Sequence, residues 1–372
     1  MQGPIALIPD KIYTGKAYLE GSAVLIQEGV IRGIVPQEAI PSAYQVQDVQ
    51  GHALAPGLID LQIYGGGGSL FASDCSAQAA GRISKALCAT GTTGYYLTLA
   101  TNTAAVFQQA IEVMHTYRHP ALLGLHFEGP YLHKSKRGAH PEHLIRKAEL
   151  KELEAWVLAA SGSLKMITIA PEEVDSRCIR FLEEAEVLVS AGHSNASFQE
   201  AMLGFQAGVR AVTHLFNAMS PLHHRNPGLA GAVFQHPTAC ASIIADGIHV
   251  HYEMVDIAKK LLKERLFLIT DAVETSHSGI YQHILNGDHF TLPDGTLSGS
   301  ALSLLQAVKN CVQHTQIDLE EALRMASLYP SNLIGRQDLG RIEAGCKANL
   351  ILLDAELQLR KVYLEGQAID PL

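Results

Sequence analysis

The sequence predicts an α/β protein: a (β/α)8 TIM-type barrel with a small β-sandwich domain built from both termini. Two observations carry that expectation. Eight apolar, strand-length runs alternate with helix-period segments over about 250 residues, the size of such a barrel. The first fifty and last forty residues instead read as short strands punctuated by turn residues, and they resemble each other.

The amino-terminal stretch "AYLEGSAVLIQEGVIRGIV" breaks at Gly21, Gly29 and Gly33, a hairpin-rich pattern. The strand candidates follow at 54–63, 93–100, 121–128, 164–171, 186–193, 209–215, 239–246 and 265–271. Most gaps hold one helix-length segment, such as "SFQEAMLGFQAG" with Ser197 as N-cap and Gly208 as stop. The closing "LGRIEAGCKANLILLDAELQLRKVYLEGQAI" returns to strand-length runs split by Gly and Asp. The expected division is therefore 1–53 plus 336–372 for the small β domain and 54–335 for the barrel. An open, doubly wound sheet is the competing arrangement; polar residues at the strand exits favour the closed one.

Composition narrows the functional classes. The 372 residues are 47% hydrophobic and 17% charged, with a formal charge of −9 and no lysine or arginine cluster, so no nucleic-acid partner is expected. No apolar run approaches the roughly 20 residues of a membrane span, so no membrane partner is expected and a soluble, cytoplasmic protein is. Six scattered cysteines without a C-x-x-C pair read as free thiols.

The strand exits are chemically loaded. Glu128, His193, His214 and Asp271 close the third, fifth, sixth and eighth runs, and in a barrel all strand carboxyl ends face one mouth. One carboxylate and two imidazoles form a three-ligand set for a catalytic divalent ion such as zinc, and Asp271 remains as a proton carrier. Any one of these residues alone reads as a satisfied polar group ending a strand; four together at one mouth read as a metal site. His126 shares a strand face with Glu128, and ligation or a supporting hydrogen bond are both open to it.

Other stretches keep two readings. "GGGG" at 65–68 lacks a phosphate-loop continuation and reads as a mobile loop at the mouth. His140, in "KSKRGAHPEH", either touches substrate or belongs to a solvated loop, and His249 in "ADGIHVH" either faces the mouth or caps a turn. The loop "NAMSPLHHRNPGLAGA" holds Asn217, His223, His224 and Arg225, a local basic patch in an acidic chain that suggests an anionic group on the substrate.

Taken with "PGLIDLQIYGGGG", "GLHFEGPYL", "SAGHSNASF", "LITDAV" and "TLSGSALSL", these motifs resemble the amidohydrolase superfamily, in its branch of deacetylases acting on phosphorylated amino sugars. The likeness covers nearly the whole chain. It implies metal ligation by Glu128, His193 and His214, and Asp271 as catalytic acid and base. It implies substrate contacts from Ala139, His140, Asn217, Ala218, Arg225, His249, Leu297, Ser298 and Gly299. Arg225 is expected to reach the site of a neighbouring subunit, which implies a homodimer. The implied reaction is hydrolysis of the acetamide of N-acetylglucosamine 6-phosphate to glucosamine 6-phosphate and acetate.

The chain departs from the wider superfamily where an H-x-H is usual: Gln62 and Tyr64 stand there, and no lysine occurs in "TIAPEE" at the fourth exit. One divalent metal ion is therefore implied, zinc first, with iron or another divalent ion as alternatives. Asn349 stands where the superfamily often has Asp, a change expected to touch only the small domain. The rival readings are the galacto epimer of the substrate, another N-acyl compound, and, from a different class, a metal-free scaffold barrel.

Overall fold

The computed structural model describes residues 3–371. Eight parallel strands form one sheet: Leu58–Ile63, Thr92–Ala100, Leu122–Glu128, Leu164–Ile169, Leu188–Ala191, Ala211–Val212, Cys240–Ile243 and Leu266–Leu268, each paired with the next in chain order. The ring closes beyond the eighth strand, where Asp271 N donates to Gln62 O at 3.0 Å and Tyr64 N to Ala272 O at 2.9 Å. Between the end of that strand at Leu268 and these bonds the ladder has a gap. The buried Asp60 carboxylate fills it, accepting from Gln62 N at 3.1 Å, Thr270 Oγ1 at 2.6 Å and Thr270 N at 3.4 Å.

Strand alternation separates two cores. Ile59, Leu61, Tyr96, Met166 and Phe267 fill the barrel interior, while Phe127 points outward against Phe107 and Trp156, with ring centroids 4.6 and 5.4 Å away. His126 and Glu128, on the opposite face from Phe127, point inward. Strand one shifts register between Asp60 and Ile63, a bulge that aims Gln62 and Tyr64 at the mouth.

The helices follow their capping signals. Ser197 and Glu200 form a reciprocal capping box on Phe198–Ala207, worth about 1 kcal/mol, and Gly208 ends the helix at φ +126°. Ser76 caps Ala77–Ala89 with a single bond, its side chain accepting from Ala79 N.

Both termini build a second sheet, ordered Gln367–Ile369, Leu359–Leu364, Leu350–Leu353, Gln45–Pro56, Ile5–Tyr13, Ser22–Gln27, Val30–Pro36, with Tyr18–Glu20 at the side of Ile5–Tyr13. The carboxyl-terminal Leu350–Leu353 lies between its own neighbour and Gln45–Pro56, with Ile351 opposite Ala55. The two layers come from one continuous sheet: Ile31 N donates to Cys346 O at 2.8 Å, bringing the far edge back beside the carboxyl-terminal strands. Ile5, Leu7, Val24, Ile31, Leu54, Leu350 and Tyr363 form its core. Strand Gln45–Pro56 runs across the expected boundary at 53/54 without a break.

Two expectations need correction. The sixth and eighth strands are far shorter than the apolar runs 209–215 and 265–271, because the chain turns out of the ladder before each functional residue. The glycine run at 65–68, expected as a loop, is a tight hairpin, Gly65–Gly66 on Ser69–Leu70, with Gly67 and Gly68 at φ +60° and +73°. All six cysteines are free, and among the described residues no helix is long and apolar enough to cross a membrane.

Candidate active site

Glu128 is the last residue of its strand; His193, His214 and Asp271 follow theirs by two or three positions. Each of these three has left-handed backbone, at φ +48°, +34° and +55°. A non-glycine residue in that region costs on the order of 1 kcal/mol, and surrounding contacts must hold it. They do. Ser194 Oγ and Asn195 N donate to Glu172 at 2.8 and 2.5 Å, pinning the turn after His193. His214 N donates to Ser242 Oγ at 2.8 Å. Asp271 is fixed on both sides, its N on Gln62 O and its O accepting from Ser300 N at 3.1 Å.

The side chains meet at the mouth. Glu128 Oε1 lies 3.1 Å from His214 Nε2 and 3.3 Å from His193 Nε2, and the two imidazole nitrogens are 3.1 Å apart. A tetrahedral ion with bonds of about 2.0–2.1 Å has ligand-to-ligand edges of about 3.3–3.4 Å, so this near-equilateral triangle fits one divalent ion. His193 Nδ1 sits 2.9 Å from Lys136 O, which places the proton on Nδ1 and leaves the Nε2 lone pair facing the centre. His214 Nδ1 is buried without a protein partner among the described residues, so that ring is held by its packing and its backbone.

A second grouping shares two of these residues: donor atoms of Glu128, His140 and His193 all lie within 4.8 Å of one another. The hydrogen bonds favour the first. His140 places Nε2 3.0 Å from the other Glu128 oxygen, Oε2, and Nδ1 2.8 Å from Thr101 Oγ1, so both its nitrogens are engaged. Tyr64 OH also donates to Glu128 Oε2. Oε2 is thus occupied from the protein side, and Oε1 is the oxygen turned toward the two histidines.

Gln62 ties the two carboxylates together. Its Nε2 lies 2.7 Å from Asp271 Oδ1, 3.0 Å from Glu128 Oε1 and 2.9 Å from Tyr64 OH. Burial pushes the Asp271 carboxyl well above its ordinary range, and the charges of Glu128 and Asp60 add to that, while the Gln62 bond opposes it. Glu128 goes the other way. Burial would raise it, but the neighbouring imidazoles, His193 foremost and then His140 and His214, outweigh that and hold it well below the usual range.

A pocket of about 330 Å³ opens on this cluster. Ala139, His140, Asn217, Ala218, His249, Leu297, Ser298 and Gly299 all line it, together with Glu128, His193, His214 and Asp271. His249 Nδ1 is fixed 2.6 Å from Asp246 Oδ2. Arg225 is not there. It is exposed on a separate groove with His223 and Asn195 and does not reach the pocket of its own chain. His126 is not part of the cluster either: Nδ1 bonds Leu61 O at 3.1 Å and Nε2 Thr168 Oγ1 at 2.8 Å, a buried brace beneath the mouth.

Sequence reasoning missed roles for Thr101, Tyr281 and His283, which also shape the site. It noted Gln62 and Tyr64 only as departures from a histidine pair; their spacing of two on strand one was the available signal.

A mixed barrel-and-sheet chain with such a cluster at the strand exits is the architecture of a metal-dependent hydrolase. The chain belongs to the amidohydrolase family, whose model matches residues 53–369, and residues 5–54 match the NagA composite domain. Among its relatives is the N-acetylglucosamine-6-phosphate deacetylase of Haemophilus influenzae, 32% identical over 97% of this chain and 98% of that one. The N-acetylgalactosamine-6-phosphate deacetylase of Escherichia coli O157:H7 is 31% identical over 96% and 97%. The crystal structure of N-acetylglucosamine-6-phosphate deacetylase from Pasteurella multocida superimposes with a TM-score of 0.95, at 34% identity, covering 99% of this chain and all of that one.

Proposed function

We propose that this chain hydrolyses the acetamide of N-acetylglucosamine 6-phosphate to glucosamine 6-phosphate and acetate. The observation that carries the reading is the triangle of Glu128 Oε1, His193 Nε2 and His214 Nε2, with Asp271 tied to the same glutamine as Glu128. The relatives' activities supply the substrate class.

Glu128, His193 and His214 would hold one divalent ion, zinc by the nitrogen-rich donor set, with iron or another divalent ion as alternatives. When bound, that ion would polarise the amide carbonyl and lower the pKa of water to about 7. Asp271 accepts the proton of the attacking water as the new C–O bond forms. It then returns that proton to the amide nitrogen as the C–N bond breaks, because an unprotonated amine is a poor leaving group. Gln62 keeps the Asp271 carboxylate turned toward the cluster during both transfers. His140, its nitrogens held on Glu128 and Thr101, orients the Glu128 carboxylate at the substrate wall, and Leu297, Ser298 and Gly299 contact the substrate.

His249 and Arg225 form the phosphate end in this reading, with Arg225 supplied by a second copy, which makes the active unit a homodimer. The exposure of Arg225 away from its own pocket supports that arrangement. A phosphorylated sugar does not cross membranes, which favours a cytoplasmic site of action. Residues 1–53 with 336–372 are proposed as the small domain carrying the barrel, the division falling within one strand. The galacto epimer is the second reading, favoured by the Escherichia coli relative.

The test is direct. Metal-loaded protein incubated with N-acetylglucosamine 6-phosphate is expected to release acetate and free amine in equal amounts; intact substrate with metal bound would overturn the substrate assignment.

A further inference from the structure

Three antiparallel strands, Ile284–Asn286, His289–Thr291 and Leu297–Ser300, form a flap beside the pocket. The segment leading into it brings Tyr281 and His283 to the pocket wall. Tyr281 OH donates to Thr101 O at 2.7 Å, anchoring this segment to the barrel. His283 lies against Tyr281, centroids 5.9 Å apart at 10°, and edge-on to Phe290 at 6.4 Å.

The ring is fixed at one nitrogen and free at the other. His283 Nδ1 is 2.9 Å from Ser298 Oγ, a residue already placed in the substrate wall. Nε2 has no hydrogen bond among the described residues. It is not sealed either: among the described residues the fully buried, unpartnered side-chain polar atoms are Gln62 Oε1 and His214 Nδ1. With the residue as a whole only 4% exposed, what remains open faces the pocket that the ring lines.

His283 differs from the other imidazoles there. His140, His193 and His214 have nitrogens on Glu128, and His249 on Asp246. His283 pairs with a hydroxyl among aromatic rings, and burial pushes its pKa down to about 4, so it is neutral. A neutral imidazole offers no charge to a phosphate. It matches a hydroxyl group, which both donates and accepts and so pairs with Nε2 in either tautomer.

Position points the same way. A chain of rings runs from His193 to His140 at 4.4 Å, from His140 to Tyr281 at 6.4 Å and on to His283, two rings beyond the histidine cluster's edge. That places His283 beside the body of a bound sugar and not beside its scissile amide.

We infer that His283 is a specificity residue: Ser298 fixes its ring, and its free Nε2 hydrogen-bonds one hydroxyl of the bound sugar. The inference rests on reading the pocket as that of an amino-sugar-phosphate deacetylase. The experiment compares wild type, His283→Leu and His283→Gln on N-acetylglucosamine 6-phosphate and its 1-, 3- and 4-deoxy analogues. The Leu variant is expected to lose about 10- to 100-fold in kcat/KM on the parent, the size of one broken, desolvated hydrogen bond. On one deoxy analogue, already poor for wild type, it should lose no more than about twofold, and Gln should recover part of the loss on the parent.

Equal losses on all analogues with Gln no better than Leu, or no loss at all, would overturn the inference. If the Leu variant does not fold, Ser298→Ala, which unclamps Nδ1, is expected to weaken the same contact and spare the same analogue; uniform behaviour would again overturn it. A wild-type protein that turns over none of the phosphosugars defeats the deacetylase reading itself, a result distinct from these.

Discussion

Gln62 Nε2 lies 2.7 Å from Asp271 Oδ1 across the seam where the barrel closes, and the same nitrogen reaches Glu128 Oε1 at 3.0 Å. The proposed proton carrier and the proposed metal-binding carboxylate are therefore oriented by one amide. Gln62→Leu removes both bonds. Since the Gln62 bond lowers the Asp271 pKa, its loss should raise it. The acidic limb of the kcat–pH profile is expected to move to higher pH, with kcat about tenfold lower at neutrality. An unmoved limb would separate Gln62 from the proton transfer.

Glu172 is expected to matter through His193. It holds Ser194 Oγ and Asn195 N, the turn that keeps His193 in left-handed backbone. Glu172→Ala should weaken metal affinity about 10- to 100-fold, as losses of supporting contacts do, measured by chelator competition. Unchanged affinity would mean that packing alone positions the ring.

Asp60 makes stability depend on pH. Burial raises its pKa from 3.8 to about 7, against the bonds from Thr270 and Gln62. A raised carboxyl contributes stability that is full below its unfolded pKa and is lost as pH climbs through the folded one. Asp60→Asn carries no such titration. Its unfolding free energy relative to wild type should rise from about pH 4 to about pH 7 and level off above, by up to a few kcal/mol. A flat difference over that window would contradict the assignment.

Arg225→Ala should raise KM for the phosphorylated sugar about tenfold or more and leave the unphosphorylated sugar nearly unchanged. Mixing it with Asp271→Asn gives a second readout. If Arg225 reaches a neighbouring subunit, heterodimers regain one intact site, and activity should partly return. No recovery would place Arg225 on its own chain's site or outside the mechanism.

What was legible in the sequence follows from where chemistry meets periodicity. Glu128, His193, His214 and Asp271 stood out because apolar strands rarely end in such residues, and a barrel sends all strand ends to one place. Gln62 and Tyr64 could be seen only as replacements. Their role depends on a bulge in strand one and on pairing with residues 66 and 209 positions away, which no local pattern encodes. Ser197 and Glu200 were readable as a helix start because capping is local. The short sixth strand was not, since the apolar run continues past Val212 while the backbone turns at His214. Tyr281 and His283 lie in a segment with neither strand nor helix periodicity, so only the folded flap brings them to the pocket.

The most direct measurement is bound metal per chain, read by elemental analysis beside kcat, for wild type, Asp271→Asn and the double variant His193→Ala/His214→Ala. The division of labour predicts about one ion in wild type and in Asp271→Asn, with kcat in the latter at least about 1000-fold lower, and neither metal nor turnover in the double variant. An Asp271→Asn protein that loses its metal, or keeps both metal and near-normal turnover, would contradict it.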